Sequence, residues 1–114
     1  NLKREMESYM KYLDAWDKKV AVWGASHQGF TLAATTKLGE KARYIIDSAP
    51  FKHGKFAPSS HLPIVPPDYF MDNPVDAIVI TAPGYTDEIA ASIRDKFGKN
   101  VEIRAMRSNH LELV

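Results

Sequence analysis

The chain has 114 residues, of which 45% are hydrophobic and 25% charged, the range of one globular domain with a single core and too short for two. Its 15 Lys and Arg nearly balance 14 Asp and Glu, so it lacks the basic field that neutralising nucleic-acid phosphates demands. With no cysteine, no paired histidines and no apolar run long enough for a bilayer, the composition argues against disulfides, a metal site and a membrane partner, and predicts a cytoplasmic protein.

Asn1 stands where a methionine would open a complete chain, and a helical pattern begins at once, which points to a piece of a longer polypeptide or to processing. Leu2, Met6, Tyr9, Leu13 and Trp16 recur at steps of three and four, with Lys3, Glu5, Glu7, Lys11 and Asp14 on other faces. Residues 1–17 are therefore expected to form an amphipathic linker or docking helix, packed either on its own domain or against a neighbouring one. Val20 to Trp23 is a short apolar run of the kind that forms a buried parallel strand. The turn Gly24-Ala25-Ser26-His27-Gln28-Gly29 follows, then a helix from Phe30 to Leu38 closed by Gly39 and a second strand over Ala42 to Ile46. Strand, glycine turn, helix and strand make one βαβ unit.

From Ser48 to Pro67 five prolines forbid a continuous helix, which predicts a long loop with at most a brief strand at Ile64-Val65. A helical turn at Pro67–Met71, a strong strand at Ala77–Ile80, a helix at Thr86–Phe97 ended by Gly98, and an edge strand at Val101–Arg104 complete the pattern, leaving Met106 to Val114 as a tail. Alternating strands and helices predict a Rossmann-like, three-layer α/β domain over residues 18–114, with a parallel sheet of order 3-2-1-4-5 preceded by the amphipathic helix.

In such a sheet the ligand crevice lies beyond the carboxyl ends of the strands where the order reverses, which brings Gly24–Gly29 together with Thr81–Tyr85. Gly24 suits the tight turn and Gly29 close helix-strand packing, while Ser26 stands where a middle glycine lets a pyrophosphate approach the backbone. Asp47, at the end of the second strand, is placed to accept a ribose hydroxyl, and the free amides that open the following helix favour an anion. The same residues also fit a purely architectural turn, with Asp47 capping the proline-rich loop. His27 is a solvated helix-start histidine or an acid-base group; Lys52 and Lys55 are exposed loop lysines or phosphate clamps; Tyr85 is a better stacking platform than Trp23, which its strand buries. His53, His61 and His110 form no triad signature, and Ser26, Ser59 and Ser60 lack a nucleophile elbow, so no catalytic residue is assigned.

Gly24-Ala25, Gly29, Thr31-Leu32, Asp47, Pro50, Lys52, Gly54, Pro58, Pro63-Ile64 and Pro66 together resemble the C-terminal domain of the sugar C-methyltransferase family. The pattern is a G-A-x-x-x-G turn, then Asp-x-x-Pro-x-Lys-x-Gly leading to an Ile-Pro-Ile-type segment. The resemblance spans Lys18 to Arg104, and its specificity lies in the Asp47–Pro66 loop. Phe30 stands where the family often has Asn, Ser59 where a Gly commonly follows the loop proline, and Gly84-Tyr85 where a Trp-Asn-like pair occurs.

The resemblance implies an enzyme that methylates a carbon of a nucleotide-linked deoxysugar, with a zinc-binding N-terminal region and a middle domain for S-adenosylmethionine, neither within this chain. This domain would need no cofactor of its own, would be inert in isolation, and would partner the N-terminal methyltransferase domains of the same enzyme. Gly24, Ala25, Ser26, His27, Gly29, Asp47, Lys52 and Tyr85 are the candidate ligand residues. The alternatives are a stand-alone NAD(P)- or nucleotide-binding module, and a structural or dimerising domain using the stripe of the first helix.

Overall fold

The computed structural model describes residues 1–107 and 110–114. Helix α1 (Leu2–Ala15) is capped by Asn1, whose side chain accepts the Arg4 N–H at 3.0 Å and so satisfies one orphan donor of the first turn. Its stripe turns inward: Met6, Tyr9, Met10 and Leu13 are buried in the domain's own core, Leu2 is partly buried, and only Trp16 is exposed. Tyr9 and Tyr12 also donate to the two carboxylate oxygens of Glu102, tying the helix to the strand that begins there.

The sheet contains β1 (Val20–Trp23), β2 (Ile45–Ile46), β3 (Ile64–Val65), β4 (Ala77–Ile80), β5 (Glu102–Arg107) and β6 (His110–Leu113), in the spatial order β3-β2-β1-β4-β5-β6. The first five strands are parallel in the expected order, with Val22 level with Ile45 on one side and Val79 on the other. Both faces are covered, so β1 and β4 are buried at every residue and read as unbroken apolar runs. Val20, Val22, Ile45 and Val79 face α1, α2 (His27–Thr35) and α3 (Leu38–Lys41). The alternate residues Ala21, Trp23, Ile46, Ile78 and Ile80 face α4 (Tyr69–Asp72) and α5 (Thr86–Phe97).

Four expectations change. The tail is not free: His110–Leu113 pairs antiparallel with β5, so β5 is internal and the sheet is mixed; Ser108 and Asn109 lie outside the described residues. The Glu5 carboxylate fastens this strand to α1, meeting His110 Nδ1 at 3.1 Å and the Leu111 N–H at 3.4 Å. Gly39 does not close α2. That helix starts at His27 and ends at Thr35; Thr36 turns extended, and Gly39 lies inside α3, where a Cβ would overlap the Ala33 carbonyl oxygen. The second strand is shortened to two residues because Ala42 ends α3, although Arg43 N–H and the Tyr44 carbonyl still bond to β1.

Finally, the long loop is folded. A 3₁₀ turn at Pro50–Lys52 is followed by a return in which Gly54, Lys55 and Ala57 bond back to Leu62 and Ile64. Ser59, where the resembled family often has glycine, adopts φ +66°, a left-handed backbone that costs a non-glycine residue about 1 kcal/mol. Among the described residues, no helix is long and apolar enough to cross a membrane.

Tyr44 is buried against α4, its hydroxyl donating to the Asn73 carbonyl at 2.6 Å and its ring edge-on to Tyr69 at 4.9 Å. Burial, reinforced by Tyr69, pushes its hydroxyl from 10.0 up to about 12. The stability tied to the protonated phenol is complete below pH 10 and is lost as pH rises through the folded value. Urea denaturation is therefore expected to show falling stability between pH 10 and about 12. Tyr44→Phe should be less stable than the parent at pH 8, yet lose less across that window; an identical alkaline loss in both would contradict this role.

Candidate functional site

The carboxyl ends of β1, β2 and β4 gather around the glycine turn. Gly24 leaves β1 with φ +131°, and a Cβ there would stand 2.6 Å from Thr81 Oγ1. At Gly29 a Cβ would overlap the Gly24 carbonyl oxygen and lie 2.7 Å from the same hydroxyl. Thr81 is fully buried at the end of β4, its hydroxyl bonding to the Trp23 and Gly24 carbonyls at 3.3 Å each. The two glycines thus serve close packing of turn, helix and strand.

Asp47 locks this turn from the end of β2. One carboxylate oxygen accepts the Ala25 N–H at 2.9 Å, the other the Ala49 N–H at 2.9 Å. Lys52 Nζ donates to the Ala25 carbonyl at 2.8 Å and lies 3.6 Å from Asp47 Oδ2, while His53 Nε2 meets the Asp47 carbonyl at 2.6 Å. The proline-rich loop is therefore latched to the glycine turn through the Asp47 carboxylate and the Lys52 ammonium, while the His53 imidazole ties the loop back to the end of β2. Ionised Asp47 has about four lone-pair sites and spends two on these amides, so it can still accept a ligand hydroxyl through its exposed 17%.

Ser26 precedes α2 and is exposed, with no capping bond from its side chain. The first helical bond is donated by Phe30 to the Ser26 carbonyl, so the N–H groups of His27, Gln28 and Gly29 have no acceptor among the described residues. Aligned peptide dipoles make such an end favourable to negative charge.

Two depressions flank this helix start. A cleft of about 310 Å³ is lined by Trp23, Gly24, Asp47, Ser48, Tyr85 and Glu88, among others. A groove of about 890 Å³ takes in His27, Gln28, Thr31, Thr35, Glu88 and Arg107. Of the candidates read from sequence, Gly24, Asp47 and Tyr85 meet in the cleft, His27 faces the groove, Ala25 is buried beneath the turn, and Lys52 stands behind it. Trp23 belongs to the core, as its strand position predicts, with one edge at the cleft. Sequence reasoning missed Ser48, Glu88 and Arg107; Glu88 is an acid in the first turn of α5, and nothing local in the sequence marks it as facing a cavity. Among the described residues, no cluster of three His, Asp or Glu is arranged to hold a metal ion.

The glycine turn, Asp47, Lys52, Tyr85 and Glu88 fall inside a match to a family model, that of the C-methyltransferase C-terminal domain, which spans residues 1–103; Arg107 lies beyond it. The chain belongs to this family. The match includes α1 and the strands β1 to β4, and it ends within β5. A search of the curated proteins finds no match. Among solved structures, the C-methyltransferase C-terminal domain described here is similar to UDP-D-quinovosamine 4-dehydrogenase from Vibrio fischeri, with a TM-score of 0.68 and 19% identity over 85% of this chain and 93% of that one. At that identity the likeness concerns the fold.

Proposed function

We propose that this domain is the substrate-proximal, accessory part of an S-adenosylmethionine-dependent C-methyltransferase acting on a nucleotide-linked sugar. The observation that carries the reading is the latch: the loop by which the chain resembles the sugar C-methyltransferases is bonded through Asp47 and Lys52 to the glycine turn at the ligand-bearing end of the sheet. A loop serving only as a connection would not need to hold that turn. Methyl transfer to carbon requires removal of a proton beside the sugar's keto group, so that the enolate attacks the sulfonium methyl. The rest of the enzyme supplies that chemistry; this domain binds and orients the nucleotide end.

A ligand that binds only the folded state raises its stability, by about 2.7 kcal/mol at one hundred times its Kd. Thermal denaturation with dTDP, dTDP-glucose, a UDP-sugar, NAD, NADP and S-adenosylmethionine is expected to show a rise with the nucleotide diphosphates and none with S-adenosylmethionine. The free amides beside Asp47 also favour a second reading, a dinucleotide-binding module. A response confined to NAD or NADP, strengthened by Ser26→Gly, would select it and overturn the first.

A further inference from the structure

The cleft and the groove have one lining residue in common among the described residues, Glu88. It sits in the first turn of α5, exposed, and its carboxylate makes no hydrogen bond or ion pair with any described residue, unlike the other carboxylates beside it. Asp87 is held by Arg107 at 2.7 Å, and Asp47 by Ala25, Ala49 and Lys52. The two depressions also differ in chemistry. The cleft has an exposed aromatic, Tyr85, beside the Asp47 carboxylate, which suits a flat base and a pentose hydroxyl. The groove is larger and offers Gln28, Thr31 and Thr35, uncharged polar groups that suit a ring bearing several hydroxyls, the Thr35 hydroxyl as an acceptor since it donates to the Thr31 carbonyl.

We propose that the cleft and the groove are two halves of one site, the nucleoside in the cleft and the sugar in the groove, with Glu88 at their junction accepting hydrogen bonds from sugar hydroxyls. The inference rests on the nucleotide-sugar reading above and adds a specificity residue to it. Both ligands carry a diphosphate across the junction, but the free nucleoside diphosphate bears an additional negative charge on its terminal phosphate, which a carboxylate there repels, whereas a sugar in that place offers hydroxyls that the carboxylate accepts. Glu88 therefore selects the glycosylated nucleotide over the free nucleoside diphosphate. A merely structural role in opening α5 would move the affinity for both ligands together.

The test is to titrate the chain and its Glu88→Gln variant with dTDP and with dTDP-glucose, following backbone amides by NMR. With the parent, dTDP is expected to perturb Ser48 and Tyr85 on the cleft side, and dTDP-glucose to perturb Thr31 and Thr35 as well. Glu88→Gln should weaken dTDP-glucose by about tenfold, the worth of a hydrogen bond to a charged group, and leave dTDP unchanged or tighter. Thr31→Val, which leaves Glu88 in place, should weaken dTDP-glucose alone. Parent binding with perturbations confined to one depression, or with both ligands equally affected by Glu88→Gln, would overturn the two-part site and spare the nucleotide-sugar reading. Failure of the parent chain to bind either ligand would overturn both.

Discussion

Gly29→Ala is expected to destabilise the domain by about 3 kcal/mol or more, at the top of the range for overpacked sites. Alanine is the better helix former by roughly 1 kcal/mol, so an exposed helical glycine would gain from the exchange. Here the sign reverses. The added Cβ would meet the Gly24 carbonyl oxygen and, at 2.7 Å, the hydroxyl of fully buried Thr81. One neighbour is backbone and the other is anchored at the end of a central strand, so neither can swing away as a flexible side-chain end would. Gly84→Ala is the control: it has φ +85° but nothing within 4 Å of a Cβ, so only left-handed strain of about 1–2 kcal/mol applies. Urea denaturation of both variants should rank Gly29→Ala well below Gly84→Ala. Equal stabilities would show that turn, helix and strand are not packed this closely.

Asp47→Ala should have the next largest effect, a loss of about 2 kcal/mol. The substitution leaves the Ala25 N–H, in a residue only 2% exposed, without an acceptor, and an unsatisfied buried donor costs about 1–3 kcal/mol. The Ala49 N–H loses its partner too, but that part of the loop is nearer solvent and water can replace the carboxylate. The ion pair with Lys52 adds little, because both side chains are partly exposed and the charges are 3.6 Å apart. Asp47→Asn keeps one acceptor and turns an amide NH₂ toward one donor, so it should fall between the parent and Asp47→Ala. Lys52→Met removes the bond to the Ala25 carbonyl and the weak ion pair with Asp47, leaves no buried N–H without an acceptor, and should cost least of the three. Chemical denaturation that ranks Lys52→Met level with Asp47→Ala would show that the carboxylate is not the centre of the latch.

Much of the fold was legible because its signals are local. Val20-Ala21-Val22-Trp23 and Ala77-Ile78-Val79-Ile80 are apolar without alternation, as strands covered on both faces must be, and Gly98 ends α5 with φ +92°. The limits of α2 were misread because Gly39 answers a contact with Ala33, not a need for positive φ. β6 was missed although His110-Leu111-Glu112-Leu113 alternates, because Leu113 is exposed and what holds the strand is its ladder with β5 together with a carboxylate of α1, Glu5, which is remote in sequence. For the site, the glycine turn, Asp47 and Tyr85 could be located in advance because strand ends in a parallel sheet have a predictable place. Glu88 could not, since its spacing is that of any acid opening a helix.

The amino-acid sequence by itself determined the alternation of the main strands and helices, the turn between Gly24 and Gly29 and the family resemblance of the Asp47–Pro66 loop, properties of residues near one another along the chain, and, with the handedness of βαβ crossovers, the order of the five parallel strands. Tertiary structure alone decided what those residues touch. It bonds Asp47 and Lys52 to Ala25, sets the Thr81 hydroxyl where only glycine fits at 24 and 29, joins β6 to the sheet, and stands Glu88 between two cavities. Such contacts depend on distances between segments remote in sequence, and those distances exist only once both faces of the sheet are packed.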